Sequence, residues 1–409
     1  MRTEATEFDV IIVGGGMVGA SLAVALAPLP LQIAVIEAFD PRQRGVSQPS
    51  YDDRSTAIAN GSQQILETIG VWAGMAQEAT AISDIHISDR GHFGIGRISA
   101  VEEKVPALGY VVPNRAIGRS LWAALESFAN IRMFCPARLE SLLDRGDSVQ
   151  VGLTGEDGNT IELHGRLVAA ADGAQSVVRK ILGIDATVWD YGQTAIISNV
   201  TTEKPHRNVA YERFTANGPM AVLPMTEGRS ALVWTVPSEQ AEEILQLSDR
   251  QILDRLQELF GYRLGHWQKI GKRVSYPLSM SKAKQQTRHR VAIIGNAAHG
   301  LHPIAGQGFN LSLRDVAGLA EVIAGANDPG DPQALEKYRR WRAADQARVM
   351  SFTDALVRVF ANPLASVRVV RNLALLMFDL LPGAKSLLAR HTMGRGGDLP
   401  RLARGVPLQ

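Results

Sequence analysis

A single cysteine, Cys135, stands among 409 residues, so no disulfide can form within the chain. A reducing compartment is the natural expectation, with Cys135 read as a small core residue in a strand. A dominant charge sign is also missing. Lys and Arg number 43 against 41 Asp and Glu, leaving +2, which gives no global argument for nucleic acid. Aromatics are only 6% of the chain, without the basic–aromatic face that stacks bases. No Cys/His cluster has metal-ligand spacing, and no repeat or low-complexity stretch appears, so zinc modules and solenoids are excluded. The largely apolar region from Val10 to Ile36 is punctuated by glycines and follows a start, MRTEATEFDV, with no basic n-region. That argues against a signal peptide or a membrane span and leads to the expectation of a cytosolic protein. The length corresponds to roughly two to three domains' worth of chain, with room for a real core.

What the chain does have is glycine at strand-to-helix junctions. Phe8–Val13 reads as a buried strand, Gly14-Gly15-Gly16-Met17-Val18-Gly19 follows at once, Ala20–Ala27 has helical composition, and Ile33–Ile36 is a second strand ending at Glu37. In such a unit Gly14 permits a tight turn, Gly16 lets a pyrophosphate approach the backbone, and Gly19 allows close helix–strand packing. Glu37 lies 23 residues after Gly14, close to the roughly 20 expected for a carboxylate on an adenosine ribose. The same acid argues against a ribose 2′-phosphate, since two negative charges would meet. This turn alone does not separate NAD from FAD.

A second junction lies far along the chain, in RVAIIGNAAHGLHPIAGQGFNLSLRD, Arg290 to Asp315. The β-branched run Val291–Ile294 empties into a glycine-rich turn, and Val316, Leu319, Ala320 and Ile323 mark the apolar face of a following helix. Gly306, Gln307 and Gly308 therefore sit where backbone N–H groups lack intrahelical partners and negative charge is favoured. Between the two, Leu167–Ala171 reads as a strand running into Asp172-Gly173, with Ser176 and Arg179 near a helix start. Taken alone, that segment is a helix start with solvated charges. Arg54 and Arg115 also precede helices in turn-rich settings, where each is either a clamp for phosphate or flavin edges or a surface ion-pair residue.

Together these residues resemble the class A FAD-dependent aromatic hydroxylases of the para-hydroxybenzoate hydroxylase fold, over essentially the whole chain. Gly14, Gly16, Gly19 and Glu37 match that family's first motif, and Asp172, Gly173, Ser176 and Arg179 match its central one. Gly295, Ala297, Ala298, His299, Pro303, Gly306, Gln307, Gly308 and Asn310 match its late one. Within the family, HPIAGQGFNL, the Ala210–Phe214 and Gly218–Met225 segments and the tail Asn372–Pro382 are similar to the ubiquinone-biosynthesis hydroxylases, nearest to the 2-polyprenyl-6-methoxyphenol hydroxylase group.

The resemblance implies an α/β fold: a Rossmann-type FAD-binding domain with an inserted antiparallel-sheet substrate domain and a C-terminal helical region. The expected boundaries are 1–80, 111–185 and 283–350 for the FAD-binding domain, 81–110 for a lid that contributes to the substrate domain, 186–282 for the substrate domain and 351–409 for the helical region. Period-two strands at Ala195–Thr201, Val209–Phe214, Met220–Pro224 and Ala231–Val236, then a helix at Leu245–Leu259, agree with that insertion, and Ser83–Tyr110 reads as a loop. The implied chemistry is ring hydroxylation of a polyprenylated phenol through a flavin C4a-hydroperoxide, with FAD, NADH or NADPH, and O2. No second GxGxxG is present for the nicotinamide.

Two departures stand out. Asn296 replaces the family's usual aspartate, keeping an acceptor but losing the charge. Ser312 replaces a usual glycine, at little cost if the backbone there is helical. Catalytic candidates are His302, as a proton acceptor or as a loop-shaping hydrogen-bonder, and Pro303, which would stiffen the loop. Tyr211 and Tyr276 are candidates for the substrate side. Beyond Asn362, alternating leucines and arginines, among them Leu364, Arg368 and Arg371, form either a packed helix or a membrane-surface face. The latter places the protein peripherally on the inner face of the cytoplasmic membrane, with a ubiquinone-biosynthesis complex as a further partner. Two rival readings remain: a flavin dehydrogenase or reductase acting on a lipid quinone or polyprenyl group, and a flavin-poor assembly subunit.

Overall fold

The computed structural model describes residues 6–41, 54–92, 94–361 and 382–408. Strand Thr6–Val13 lies between Thr160–Ala170 and Ile33–Ile36, parallel to both, and Ile131–Phe134 and Val291–Ile293 extend the parallel row on either side. The central strand is apolar at successive positions because both of its faces are covered. Val10 and Ile12 pack among residues of the helices Met17–Leu26 and Gln307–Ala324. Ile11 and Val13 pack on the opposite side against the antiparallel hairpin Ala137–Asp144 and Val149–Gly155. Each such fully buried branched side chain stabilises the fold by about 1.5–3 kcal/mol.

A nine-stranded sheet interrupts this unit. Its centre is the 17-residue strand Ala186–Thr202, flanked by Val274–Ala283 and Arg229–Pro237; Gly218–Pro224 and Val209–Thr215 continue outward. The expected loop at 83–110 is not a loop. Asp84–Asp89 joins this sheet parallel to Val209–Thr215, and Ile95–Ser99 pairs with it at the edge. The isoleucines at 85 and 87 supply the period-two pattern that the sequence reading passed over. Strand Gly109–Pro113 instead belongs to a small three-stranded sheet with Ser55–Ala59 and Thr80–Ile82.

The helix expected at Leu245–Leu259 is two helices, Ser238–Gln246 and Asp249–Phe260. Ser248 divides them: its hydroxyl caps the Gln251 N–H while the Gln251 side chain accepts from the Ser248 N–H at 2.9 Å, a reciprocal capping box. Farther on, Pro332–Ala361 is one continuous 30-residue helix that runs through the boundary expected at 350. The amphipathic stretch 362–381 lies outside the described residues. Pro382–Thr392 is helical, and no helix among the described residues is long and apolar enough to cross a membrane.

Candidate active site

One cavity of about 1660 Å³ is walled by the carboxyl ends of the parallel strands, the loop around Pro303–Gly308 and one face of the nine-stranded sheet. That exceeds the usual few hundred to about 1,000 Å³ of a single small-ligand pocket, leaving space for an extended dinucleotide and a second molecule. Gly14, Gly16, Glu37, Arg54, Asp172, Tyr276, Asn296, Pro303, Gly306, Gln307, Gly308 and Asn310 all line it. Residues far apart in sequence are thus brought to one cleft.

At the first turn, Gly14 has φ +102°, and a Cβ there would stand 2.5 Å from the Ala171 carbonyl oxygen. Gly19 packs so closely that a Cβ would meet the Gly14 oxygen at 1.9 Å. Glu37 is buried; its Oε2 accepts the Gly15 N–H at 2.7 Å and its Oε1 accepts the Phe39 N–H at 3.0 Å. The carboxylate therefore braces the turn while still lining the cavity. Trp122 donates its indole N–H to the Gly15 oxygen at 3.0 Å from the other side.

The central motif is partly structural. Asp172 Oδ2 accepts the Val178 N–H at 3.0 Å, Ser176 caps the Arg179 N–H, and the Arg179 guanidinium donates to the Ala174 oxygen. Asp172 Oδ1 is buried without a partner among the described residues. Such an acceptor costs stability unless a ligand hydroxyl or N–H completes it. Helices Met17–Leu26 and Gln307–Ala324 begin at Gly16 and Gly306, which line the cavity, and neither start has a side-chain cap. A Cβ at Gly308 would meet nothing within 4 Å. Uncapped helix starts, open glycines and an orphaned carboxylate oxygen are what an extended phosphate-bearing flavin requires at its two ends.

The late loop is held from below. Asn310 is saturated by the protein: its Oδ1 accepts the Ala59 N–H at 2.8 Å, and its Nδ2 donates to the oxygens of Ala57 and Gly306 at 2.8 and 2.7 Å. Asn310 lines the cavity and also ties the glycine turn to strand Ser55–Ala59. Asn296 is exposed to the cavity. Ser312 is helical, and its hydroxyl donates to the Gly308 oxygen at 3.0 Å, so serine needs no special backbone there.

Besides Gly19, the expected residues Gly295, Arg115 and His302 are not among those that line the cavity. Arg115 does not line the cavity and pairs with Glu78 at 2.5 Å on an exposed surface, which is its ion-pair reading. His302 is fully buried, and its Nδ1 accepts the Ile304 N–H at 3.2 Å, while the cavity is lined by its neighbours Leu301 and Pro303. Burial lowers the imidazole to about 4, so it is neutral at pH 7 and shapes the loop. Tyr211 borders the cavity, with its ring packed edge-on to Phe260 at 5.5 Å and tilted against His86 at 5.7 Å. Tyr276 does face the cavity, with the Arg54 guanidinium 4.4 Å above its ring.

Residues 7–353 match the family described as FAD binding domain. The chain belongs to that FAD-binding domain family. It is 40% identical over 407 residues to ubiquinone hydroxylase UbiL of Rhodospirillum rubrum, a match covering 98% of this chain and 93% of that protein. To the 3-demethoxyubiquinol 3-hydroxylase of Escherichia coli it is 31% identical over 392 residues, covering 94% and 98%. To the human mitochondrial ubiquinone biosynthesis monooxygenase COQ6 it is 28% identical over 419 residues, covering 89% and 88%. In three dimensions it is similar to the crystal structure of p-nitrophenol 4-monooxygenase PnpA from Pseudomonas putida DLL-E4. The TM-score is 0.80 at 19% identity, covering 96% of this chain and all of that one, which shows the fold. The FAD-binding chain is a flavin-dependent monooxygenase, and FAD is its cofactor.

Sequence reasoning missed Asp315, which anchors the late loop, and Glu212, which lines the cavity next to Tyr211. The alternation within Ala210–Phe214 was the available signal for Glu212.

Proposed function

We propose that this monooxygenase hydroxylates the aromatic ring of a polyprenylated phenol on the route to ubiquinone, using NADH or NADPH and O2. The observation that carries the reading is the apolar character of the cavity beyond the glycine turns. Ile85, Ile87, Ile197, Leu223 and Val233 of the sheet wall it, and Leu388 and Met393 extend it towards the C-terminal helix. A prenylated ring matches such a wall, and the names of the ubiquinone-biosynthesis relatives agree with it. When bound, FAD accepts hydride from the nicotinamide and activates oxygen.

The chain's own residues do the rest. The uncapped start of helix Gln307–Ala324 favours negative charge on whatever lies against Gly306–Gly308. Pro303 stiffens the wall next to it, and the alkyl side chains of the sheet exclude water, which would divert a reactive oxygen species. Turnover with labelled O2 tests the reading: one labelled atom is expected in the ring product. Product without label would establish the dehydrogenase or reductase alternative instead. Purified protein with stoichiometric FAD is expected, and flavin-poor protein would favour the assembly-subunit reading.

Peripheral attachment to a membrane or to a biosynthetic complex is the finer part of the proposal. It is motivated by the cavity reaching Leu388 and Met393, and by the exposed Leu387 on the same helix. Liposome partitioning that persists after deletion of 362–409, in a variant that still folds, would count against a membrane role for the tail.

A further inference from the structure

Period-two alternation divides strand Val209–Thr215 between two environments. Arg213 faces the helix layer, donating to the Leu259 oxygen at 2.8 Å and to Ser88 Oγ at 3.2 Å, and the Tyr211 ring packs there against Phe260 while the residue also borders the cavity. Ala210, Glu212 and Phe214 take the other face, and all three line the cavity. The register places Glu212 beside Ile87 on one neighbouring strand and Ala221 on the other; Ala221 lies beside Val233, and Val233 beside Ile197. Glu212 is therefore the one ionisable group in a cross-strand row of alkyl side chains. It is also the one carboxylate that this sheet contributes to the cavity lining.

Its carboxyl has no hydrogen-bond or ion-pair partner among the described residues. A carboxylate in an apolar wall is costly unless something in the cavity donates to it. The charged groups on the surrounding elements are engaged elsewhere. Asp89, on the same strand as Ile87, lies 3.6 Å from His92; Asp354, on the helix packed opposite, accepts the Tyr191 hydroxyl at 3.0 Å; Arg54 covers Tyr276. Burial alone pushes the Glu212 carboxyl up to about 7, the range in which a general base is most effective at neutral pH.

The geometry points to Glu212 as the group that receives the phenolic O–H of the substrate, first as hydrogen-bond acceptor and then as base. This assignment rests on the prenylated-phenol reading above. In the transfer the phenol O–H bond breaks, the proton bonds to a Glu212 carboxylate oxygen, and the electron pair stays on the phenol oxygen. The ring is thereby enriched for attack by electrophilic oxygen. As the hydroxylated ring regains aromaticity its C–H bond breaks, that proton goes to the second oxygen atom, which is released as water, and Glu212 returns its own proton to the product's phenolate oxygen.

Calorimetric titration of the oxidised, FAD-loaded enzyme with ortho-geranylphenol and with its O-methyl ether, on both sides of about pH 7, tests the assignment. An ionised acceptor holds a hydroxyl more strongly than a neutral one. Wild type should therefore bind the phenol about ten-fold more tightly above that pH than below it, and the ether equally at both. Glu212→Gln should keep stoichiometric FAD, bind the ether as wild type does and lose the phenol's pH step. A step that survives in Glu212→Gln, or a wild type that treats phenol and ether alike, overturns the assignment and leaves the substrate class standing. Failure of wild type to bind either ligand overturns the substrate class, and the assignment falls with it.

Discussion

His299 Nε2 and Asp315 Oδ2 lie 2.5 Å apart with both side chains fully buried. His299 stands just before the Pro303 loop, and Asp315 stands on the helix that the loop feeds, so the pair fastens the two ends of the flavin-facing turn to each other. Arg342 and Gln346, from helix Pro332–Ala361, donate to the same carboxylate at 2.7 and 3.1 Å. Burial alone would push Asp315 upward, but Arg342 and His299 outweigh it and hold the carboxyl at about 2.

Removing that carboxylate should be costly. Asp315→Ala removes one of the two carboxylates that hold the buried Arg342 guanidinium, leaving Asp345, and takes the acceptor from His299 and Gln346; about 3 kcal/mol is expected, read as a fall in the urea midpoint together with weaker FAD retention. The sign of the pH effect follows from a folded pKa below the ordinary 3.8. Stability from Asp315 is fully present above about pH 4 and is lost as pH falls through about 2. Asp315→Asn should flatten that acid limb. An unchanged limb would assign acid unfolding to other carboxylates.

Two buried imidazoles act in a different window. Burial lowers both His302 and His86 from 6.5 to about 4, with Arg263 and Arg97 assisting at His86. The unfolded chain takes up protons near 6.5 while the folded one does not. Stability from these groups is therefore present above about 6.5 and declines as pH falls towards about 4. His302→Asn, which preserves an acceptor for the Ile304 N–H, should shrink the drop in melting temperature between those pH values. It should also leave no missing limb in the pH profile of kcat/KM. Loss of activity by a hundred-fold or more at neutral pH, the scale of a lost general base, would restore His302 as a catalytic residue.

What was legible in the sequence followed from local rules. Buried parallel strands ending in glycine turns need only a few adjacent residues to be recognised, so Gly14, Glu37 and Gly306–Gly308 were found and do share one cleft. What was missed depends on tertiary partners. Asp315 and Arg342 are separated by 27 positions and meet only because two helices fold back on each other. Alternation separates the Tyr211 and Glu212 side chains, but it does not show that the Tyr211 ring packs on Phe260 of a helix far along the chain while Glu212 stands in the cavity without a protein partner among the described residues. Arg115 was claimed by Glu78, an acid 37 residues away.

That orientation gives a direct contrast between two tyrosines. Tyr211→Phe should change kcat/KM by less than about two-fold, since its ring stays packed on Phe260 and His86 and the cavity wall that it borders stays in place. Tyr276→Phe removes a hydroxyl on the cavity side, beneath the Arg54 guanidinium, and should raise KM for a prenylated phenol severalfold. Equal effects from the two would show that the Tyr211 hydroxyl also acts on the substrate side.

Glu37 should control how firmly the adenosine end is held. Its carboxylate organises the turn through the Gly15 N–H at 2.7 Å, and a charge-assisted bond of this kind contributes about 1.5–3 kcal/mol. Glu37→Gln keeps an acceptor and should weaken FAD binding about ten-fold; Glu37→Ala should weaken it further and lower the melting temperature of the flavin-free protein. Flavin fluorescence on dilution reads the first effect, and a calorimetric scan the second.

Asn296 offers the one substitution expected to improve the protein. It is exposed to the cavity between Gly295, whose φ is +61°, and the buried Ala297. A Cβ at Gly295 would come within 3.0 Å of Val18, but an isosteric change at the exposed residue 296 adds no bulk and should not disturb the turn. Aspartate in place of the amide exchanges a neutral acceptor for an ionised one, which holds a flavin hydroxyl roughly twice as strongly. Asn296→Asp should therefore slow FAD dissociation by about three- to ten-fold, with little change in the melting temperature of the flavin-free protein. The comparison of those two measurements is decisive: a slower off-rate without added apoprotein stability locates the effect at the cofactor. An unchanged off-rate would show that residue 296 does not contact the cofactor through its side chain.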